Sequence, residues 1–157
     1  MLKVKTWDGT RRYVSAVAGD EVKLVSEDTW GIMNILAEAR GEPHDGQVAV
    51  GNVVRERMRL RYASDGTVLG TVWRPSQFSW TLSNDKQRKR VMSADDDDPA
   101  VQNAEKAWFE SGERMVVPRG TVLYHADYVS PNWAKAASVK FVLQVGRHLF
   151  YTDRGSA

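Results

Sequence analysis

The chain has 157 residues, of which 42% are hydrophobic and 27% charged, and its formal net charge is +2. These values are typical of one globular domain that is large enough to bury a real core. Cysteine is absent, which excludes disulfides and thiolate metal sites, and no apolar run approaches the length of a membrane span.

The N-terminal residues contain two alternating runs around Asp8-Gly9, a pattern that predicts a β-hairpin over residues 3–14. We interpret residues 1–25 as this hairpin plus a connector over 15–25, and residues 26–157 as the main domain. The N-terminus shows no signal-peptide apolar core. We therefore expect a protein made in the cytoplasm, without stable membrane insertion.

A first amphipathic helix is predicted from about residue 27 to residue 40. Ser26 is a candidate N-cap, and Ile32, Ile35, Leu36 and Ala39 recur at helical spacing. Glu38 lies in the last turn beside this apolar face, where apolar neighbours and the helix dipole both raise a carboxyl pKa. Such a group suits a general acid. An ion pair with Arg40, Arg55 or Arg57, or a solvated helix end, remains the alternative.

Four more helical segments follow in the sequence pattern. The second helix is predicted from Gln47 to about Leu60, with Gly51 marking a close approach of another backbone, and its Arg55–Arg61 run as a solvated face. Shorter helices are predicted over 68–73, 83–92 and 99–111, with Thr67 and the Asp98-Pro99 pair as start signals.

The C-terminal part changes to strand signals. Residues 121–125 form a predicted strand, Ser130-Pro131 begins a helical turn that carries Trp133, and residues 138–145 and 147–152 form a predicted antiparallel pair. The fold class is therefore α+β, mainly helical, with a short C-terminal antiparallel β element.

Four sequence blocks together resemble the SleB-type cell wall hydrolases, the spore-cortex-lytic enzymes and their bacteriophage relatives. They occur in the family's order at residues 37–51, 72–79, 121–134 and 145–151. The resemblance implies a lysozyme-like fold and cleavage of the MurNAc–GlcNAc β-1,4 bond of peptidoglycan. Family members act mainly as lytic transglycosylases that use one glutamate and no metal or cofactor.

The resemblance also implies roles for particular residues. The catalytic glutamate of the family's E-A-R-G-E motif falls on Glu38, and Glu42 is the second glutamate, which supports the turn. Where the family usually has Asn-Arg late in helix two, this chain has Glu56-Arg57. Glu56 is thus either a possible second carboxylate in the cleft or a surface residue with an ion pair.

The candidate substrate-binding residues are polar and aromatic side chains of the later motifs. Polar groups can bond sugar hydroxyls or N-acetyl groups, and aromatic rings can stack on sugar faces. These candidates are Gln77, Phe78, Ser79, Trp80, Tyr124, Asn132 and Trp133. His125 and His148 are interpreted as structural, and no histidine spacing indicates a metal site.

We expect peptidoglycan glycan strands as the partner of a monomeric lytic transglycosylase, specifically a phage or prophage endolysin released by a holin or carried in a particle. The alternatives are a muramidase that uses Glu56, and a non-catalytic glycan-binding phage structural protein. Basic residues near Trp80 suggest single-stranded nucleic acid, but the net charge of +2 is too small for a typical nucleic-acid domain.

Overall fold

The computed structural model describes residues 12–16, 22–82, 85–154 and 156. Its elements, in chain order, are β1 (Arg12–Ala16), β2 (Val22–Ser26), α1 (Glu27–Ala39), α2 (His44–Leu60), α3 (Val68–Val72), a 3-10 turn (Ser79–Thr81), α4 (Lys86–Met92), α5 (Pro99–Glu110), β3 (Thr121–Ala126), a second 3-10 turn (Asn132–Lys135), β4 (Val139–Val145) and β5 (His148–Asp153). Helices therefore come first and the larger sheet last, which confirms the α+β class.

The N-terminal strands differ from the prediction. β1 pairs with β2 in antiparallel register, with Arg12 opposite Ser26 and Ala16 opposite Val22. The predicted connector over residues 15–25 is thus wrong at both ends, where it is strand. The Asp8-Gly9 turn lies outside the described residues.

The helix starts follow local side-chain chemistry in two of three predicted cases. The Thr67 hydroxyl accepts from the Gly70 amide at 2.9 Å, and Asp98 Oδ1 accepts from the Ala100 amide at 2.8 Å. Ser26 precedes α1 but caps no backbone amide; its hydroxyl bonds the Thr29 hydroxyl at 3.0 Å. A cap residue in sequence therefore located all three starts, although only two make the capping bond.

The helical core forms where α1 and α2 pack against α5. Ile35, Leu36 and Ala39 are buried as predicted, and Ile32 is partly buried. A Cβ atom on Gly31 would lie 2.5 Å from the Trp108 ring, so this glycine allows α5 to approach α1 closely. Gly51 has the corresponding role in α2, although its close neighbour is the Ser111 side chain after α5 rather than a backbone.

The C-terminal sheet has the strand order β3-β5-β4, and both pairs are antiparallel. Tyr124 of β3 lies opposite Phe150 of β5, and Phe150 is part of the same buried core as the helices. Because side chains alternate along a strand, this face of the sheet carries Tyr124 toward the helical side. Among the described residues, no helix is long and apolar enough to cross a membrane.

Candidate active site

Glu38 lies where the sequence predicts it, in the last turn of α1, which ends at Ala39. The flanking Ile35 and Ala39 are fully buried, whereas Glu38 is half-buried. The described residues include no ion pair to Glu38, so the ion-pair alternative is not what the structure shows. The helix thus holds a carboxyl group at the border between core and solvent.

The hydroxyl of Tyr124 contacts this carboxyl group directly. It donates a hydrogen bond to Glu38 Oε2 at 3.0 Å across the interface between β3 and α1. Burial, and then the nearby charge of Glu38, raise the pKa of Tyr124 well above its ordinary value. Tyr124 therefore remains a neutral hydrogen-bond donor to Oε2 of Glu38.

Burial is the main influence on the acidity of Glu38. It raises the pKa of Glu38 from 4.5 to about 7, against the opposing effects of the Tyr124 hydrogen bond and the Arg57 charge, with a small further rise from Asp85. The predicted direction is confirmed, and desolvation is the principal cause. A carboxyl group with this pKa can give and take a proton near neutral pH.

Arg57 is the residue of this region that the sequence analysis misplaced. It is only 4% exposed, whereas the Arg55–Arg61 run was expected to be a solvated face. Its Nε donates to the Val122 carbonyl at 2.7 Å and its Nη1 to Gln77 Oε1 at 3.1 Å. The burial of Arg57 could have been predicted from the sequence, because Arg57 lies four residues after Val53 and three after Val54, on the same apolar face of the helix.

A cavity of about 340 Å³ opens beside Tyr124. Three predicted substrate-binding residues, Gln77, Tyr124 and Trp133, line it together. Its remaining lining residues are Arg57, Tyr62, Ser76, Leu123, Ala136, Ser138, Val139 and Asp153. The cavity therefore combines hydrogen-bonding groups, an indole ring and small apolar patches, a mixture that suits a sugar ligand. Glu38 is not among its lining residues, and Tyr124, which lines the cavity and bonds Glu38, links the two.

The other predicted substrate-binding residues do not line this cavity. Trp80 is 1% exposed and its indole N–H donates to Asn34 Oδ1 at 2.8 Å, and Phe78 is also buried. Neither ring presents a face for sugar stacking; both contribute to the core instead. Ser79 and Asn132 are exposed to solvent but outside the cavity lining.

His125 supports the Trp133 wall of the cavity. Its Nδ1 bonds the Ala126 carbonyl at 2.8 Å, which requires a hydrogen on Nδ1, and its Nε2 bonds the Tyr151 hydroxyl at 2.8 Å. The ring stacks on Tyr151 and meets Trp133 edge-on. His148 is buried against Tyr124, and burial lowers its pKa. Both histidines thus have packing contacts.

Glu56 is neither a surface residue nor part of this cavity. It is 2% exposed and accepts hydrogen bonds from Arg59, Arg119 and the Gly120 amide. Burial would raise the pKa of Glu56, but these hydrogen bonds outweigh it and lower the pKa. Glu56 lines a different cavity, of about 450 Å³, which shares no lining residue with the one beside Tyr124.

Glu42 connects the α1–α2 turn to the β4–β5 hairpin. Its Oε2 accepts from the Arg147 amide at 3.0 Å, and its Oε1 lies 3.8 Å from His148 Nδ1. Gly146 approaches so closely that a Cβ atom there would be 2.0 Å from Oε2. The side chain therefore holds two segments together, in keeping with the supporting role implied by the family motif.

Tyr62 and Asp153 also line the cavity, although the sequence did not single them out. The Tyr62 hydroxyl donates to Asp153 Oδ2 at 2.8 Å. Hydrogen bonds from Ser138 and Tyr62 lower the pKa of Asp153. Tyr62 and Asp153 lie 91 positions apart in sequence, so only the folded chain brings them together.

Within the described part of the chain, no cluster of histidine and carboxylate side chains is placed to hold a metal ion.

Comparison with known proteins gives the same family as the sequence motifs. The family model described as Cell Wall Hydrolase matches residues 41–151. The spore cortex-lytic enzyme of Oceanobacillus iheyensis is 29% identical over an alignment 138 residues long, and the alignment covers 83% of this chain and 41% of that protein. This chain thus spans about two fifths of the length of that relative.

Two solved structures share the fold. One is the catalytic domain of the germination-specific lytic transglycosylase SleB from Bacillus anthracis, with a TM-score of 0.61, 22% identity, and coverage of 79% of this chain and 92% of that chain. The other is the catalytic domain of the Bacillus cereus SleB protein, with a TM-score of 0.58, 23% identity, and coverage of 79% and 88%. With most of its length matched by the family model, the chain belongs to the cell wall hydrolase family.

Proposed function

We propose that this protein cleaves the MurNAc–GlcNAc β-1,4 bond of peptidoglycan as a lytic transglycosylase, with Glu38 as its only catalytic acid and base. The observation that carries the proposal is the half-buried Glu38 carboxyl group, whose pKa is raised to about 7 and whose Oε2 accepts from Tyr124. Family membership supports the same reaction class, and so does the likeness to the catalytic domain of the Bacillus anthracis lytic transglycosylase SleB.

The proposed reaction has two proton transfers, both at Glu38. Protonated Glu38 first gives its proton to the glycosidic oxygen as the C1–O bond breaks through an oxocarbenium-like transition state. The resulting carboxylate then removes the proton of the muramoyl C6 hydroxyl, whose oxygen bonds to C1. The product is a 1,6-anhydro sugar, and Glu38 ends protonated, ready for another cycle.

The muramidase alternative requires a second carboxylate that activates a water molecule. Glu56 was the candidate, and its position argues against that role. All of its hydrogen bonds run to Arg59, Arg119 and Gly120, and it faces the other cavity. The single-acid route therefore has the better support.

Product analysis tests the proposal. Digested peptidoglycan should carry 1,6-anhydro muramoyl ends, each lighter by one water than a hydrolysed end, as measured by mass spectrometry. Glu38→Gln should lower the rate by at least about 10²–10⁴-fold while the circular dichroism spectrum is unchanged. Reducing ends as the main product would instead establish a muramidase, and a folded, fully active Glu38→Gln would remove Glu38 from the mechanism.

We also propose that the protein acts as a phage or prophage lysin on vegetative walls. This is an extension of the family resemblance, which includes bacteriophage members. Purified protein should be added in parallel to isolated vegetative sacculi and to decoated spores. Cleavage confined to spore cortex would contradict the lysin assignment and would indicate that spore cortex is the substrate.

A further inference from the structure

A buried arginine contacts the one amide side chain that lines the cavity beside Tyr124. Arg57 donates from Nη1 to Gln77 Oε1 at 3.1 Å, and both residues line the cavity. An arginine side chain has only N–H donors, so it must meet the oxygen of a side-chain amide and not its nitrogen. This contact therefore decides which way the Gln77 amide is turned.

Arg57 itself is held in place from two sides. Its Nε donates to the Val122 carbonyl at 2.7 Å, and its guanidinium carbon lies 5.1 Å from the centre of the buried Phe78 ring. The side chain is 4% exposed, so little of it is accessible to solvent. An immobilised donor of this kind keeps the Gln77 amide in one orientation, because the reversed amide would place two donors against each other.

The other end of the Gln77 amide is left with two N–H donors. No side chain or carbonyl in the described part of the chain accepts a hydrogen bond from Gln77 Nε2. Gln77 is half-buried on the cavity wall, which also carries the apolar side chains of Leu123, Ala136 and Val139. A fixed donor next to small apolar groups matches an acetamido group, which has a carbonyl oxygen and a methyl group.

We propose that Arg57 orients the Gln77 amide so that its NH₂ group selects N-acetylated glycan strands by donating to an acetamido carbonyl oxygen. Gln77 is then a specificity-determining residue and Arg57 a positioning residue. The inference rests on the proposed function for the identity of the substrate, but the binding preference itself does not require that cleavage occur. An N-deacetylated sugar offers an ammonium group, which cannot accept from Gln77 and would be repelled by Arg57.

The cleavage test compares one peptidoglycan preparation in three forms: native, chemically N-deacetylated, and re-acetylated. The wild-type protein should cleave the native and re-acetylated strands about tenfold or more faster than the deacetylated strands. Gln77→Glu replaces the donor with an acceptor that Arg57 can still hold. This variant should reverse the preference and cleave the deacetylated strands faster.

Gln102→Glu is the matched control, because Gln102 is exposed on α5 and outside the cavity lining. It makes the same chemical change and should keep the wild-type preference. Equal cleavage of native and deacetylated strands by the wild type, or an unchanged preference in Gln77→Glu, would overturn the inference while leaving the transglycosylase proposal standing.

A binding measurement separates the inference from the proposed reaction. In a Glu38→Gln background, tryptophan fluorescence should report tighter binding of an N-acetylglucosamine tetramer than of a glucosamine tetramer. The added Gln77→Glu change should reverse the order. This reversal supports the inference even if no anhydro product is found, and its absence contradicts the inference even if cleavage occurs.

The positioning role of Arg57 has its own readout. Arg57→Lys keeps the positive charge but loses the planar group that bonds Val122 and Gln77 together. We expect the preference for N-acetylated strands to fall at least severalfold per folded molecule, with the folded fraction measured by urea titration. A folded Arg57→Lys with the full wild-type preference would show that Gln77 is oriented without Arg57.

Discussion

Glu38 shows how the surroundings of a carboxyl group set its pKa. Its neighbours in α1 are buried, its Oε2 accepts from Tyr124, and desolvation by burial places its pKa at about 7. Chemically similar Glu56, one helix away, has the opposite shift because arginines and a backbone amide bond it. The environment, and not the residue type, therefore separates the proposed acid Glu38 from the structural carboxylate Glu56.

The pH dependence of cleavage follows from the raised pKa of Glu38. The general acid must be protonated, so kcat/KM should fall as the pH rises through about 7 and approach a tenfold loss per pH unit. Initial rates on isolated sacculi in buffers of constant ionic strength measure this fall of kcat/KM on the alkaline side. A rate that stays constant up to pH 9 would mean that the ionisation of Glu38 does not limit cleavage.

The raised pKa of Glu38 also predicts that the stability of the protein depends on pH. Folded Glu38 binds its proton more tightly than unfolded glutamate, so the wild-type protein loses stability as the pH rises from 4.5 to about 7. Glu38→Gln does not titrate and avoids this loss. Its free energy of unfolding should exceed that of the wild type by up to about 3 kcal/mol at pH 8, and the difference should shrink toward pH 4.

Urea titrations at several pH values measure the difference between Glu38→Gln and the wild type. Glu113→Gln is the control, since Glu113 is exposed. A stability difference between Glu38→Gln and wild type that is the same at pH 4 and pH 8 would show that folding does not shift the pKa of Glu38.

At the scale of elements, α2 is the helix that joins the two halves of the molecule. Glu56 bonds the Gly120 amide just before β3, and the next residue, Arg57, bonds the Val122 carbonyl within β3. Adjacent side chains of one helix thus satisfy backbone groups at the start of the sheet. At the Asn-Arg position of the family motif, this chain has Glu56-Arg57, and both residues have a structural role because they bond the backbone at the start of the sheet.

Glu56→Gln should therefore lower stability rather than be silent. An amide keeps the shape but carries no charge for Arg59 and Arg119, and its NH₂ group meets a donor among Arg59, Arg119 and the Gly120 amide. We expect a loss of about 1–3 kcal/mol in the free energy of unfolding, with cleavage per folded molecule largely retained.

The control for Glu56→Gln is Glu113→Gln, which lies on the same cavity but is exposed. Urea unfolding compares the two variants with the wild type. Equal stability of both variants would contradict the structural role of Glu56, and loss of cleavage in a fully folded Glu56→Gln would return Glu56 to the catalytic mechanism.

The β4–β5 hairpin offers a second test at this scale. Gly146 has a φ of +55°, and a Cβ atom there would collide with Glu42 Oε2, which bonds the Arg147 amide. Gly146→Ala should cost about 1–2 kcal/mol for the backbone conformation alone, and more for the displaced carboxylate. Thermal unfolding measures the loss.

Gly41→Ala is the matched control for Gly146→Ala, because a Cβ atom at Gly41 would meet nothing within 4 Å. We expect Gly41→Ala to unfold near the wild-type temperature. If Gly146→Ala did the same, the contact between Glu42 and the hairpin would not contribute to stability.

At the scale of the whole molecule, the proposed chemistry needs only one side chain and the substrate itself. In the proposed reaction, the C6 hydroxyl of the substrate acts as the nucleophile, and Glu38 transfers both protons. We therefore predict that cleavage survives EDTA, measured as the same initial rate of sacculus digestion with and without chelator. A loss that added divalent metal restores would show that a metal ion takes part.

The sequence by itself determined the order of the elements and the position of Glu38, the proposed acid, in the last turn of α1. Helical periodicity, the residues Thr67 and Asp98 and the β-branched runs located the helices and the C-terminal strands, because these signals act between near neighbours. The same local pattern placed Glu38 beside an apolar face. The motif order was enough to indicate the family, which the family model confirmed.

Only the tertiary structure decided which polar and aromatic groups reach the site. Arg57 and Glu56 are adjacent in sequence, yet one lines the cavity beside Tyr124 and the other lines a second cavity. Trp80 matches a sugar platform in sequence but lies in the core, bonded to Asn34. The physical reason is that burial depends on what packs over a residue, and the elements that cover these side chains come from distant parts of the chain.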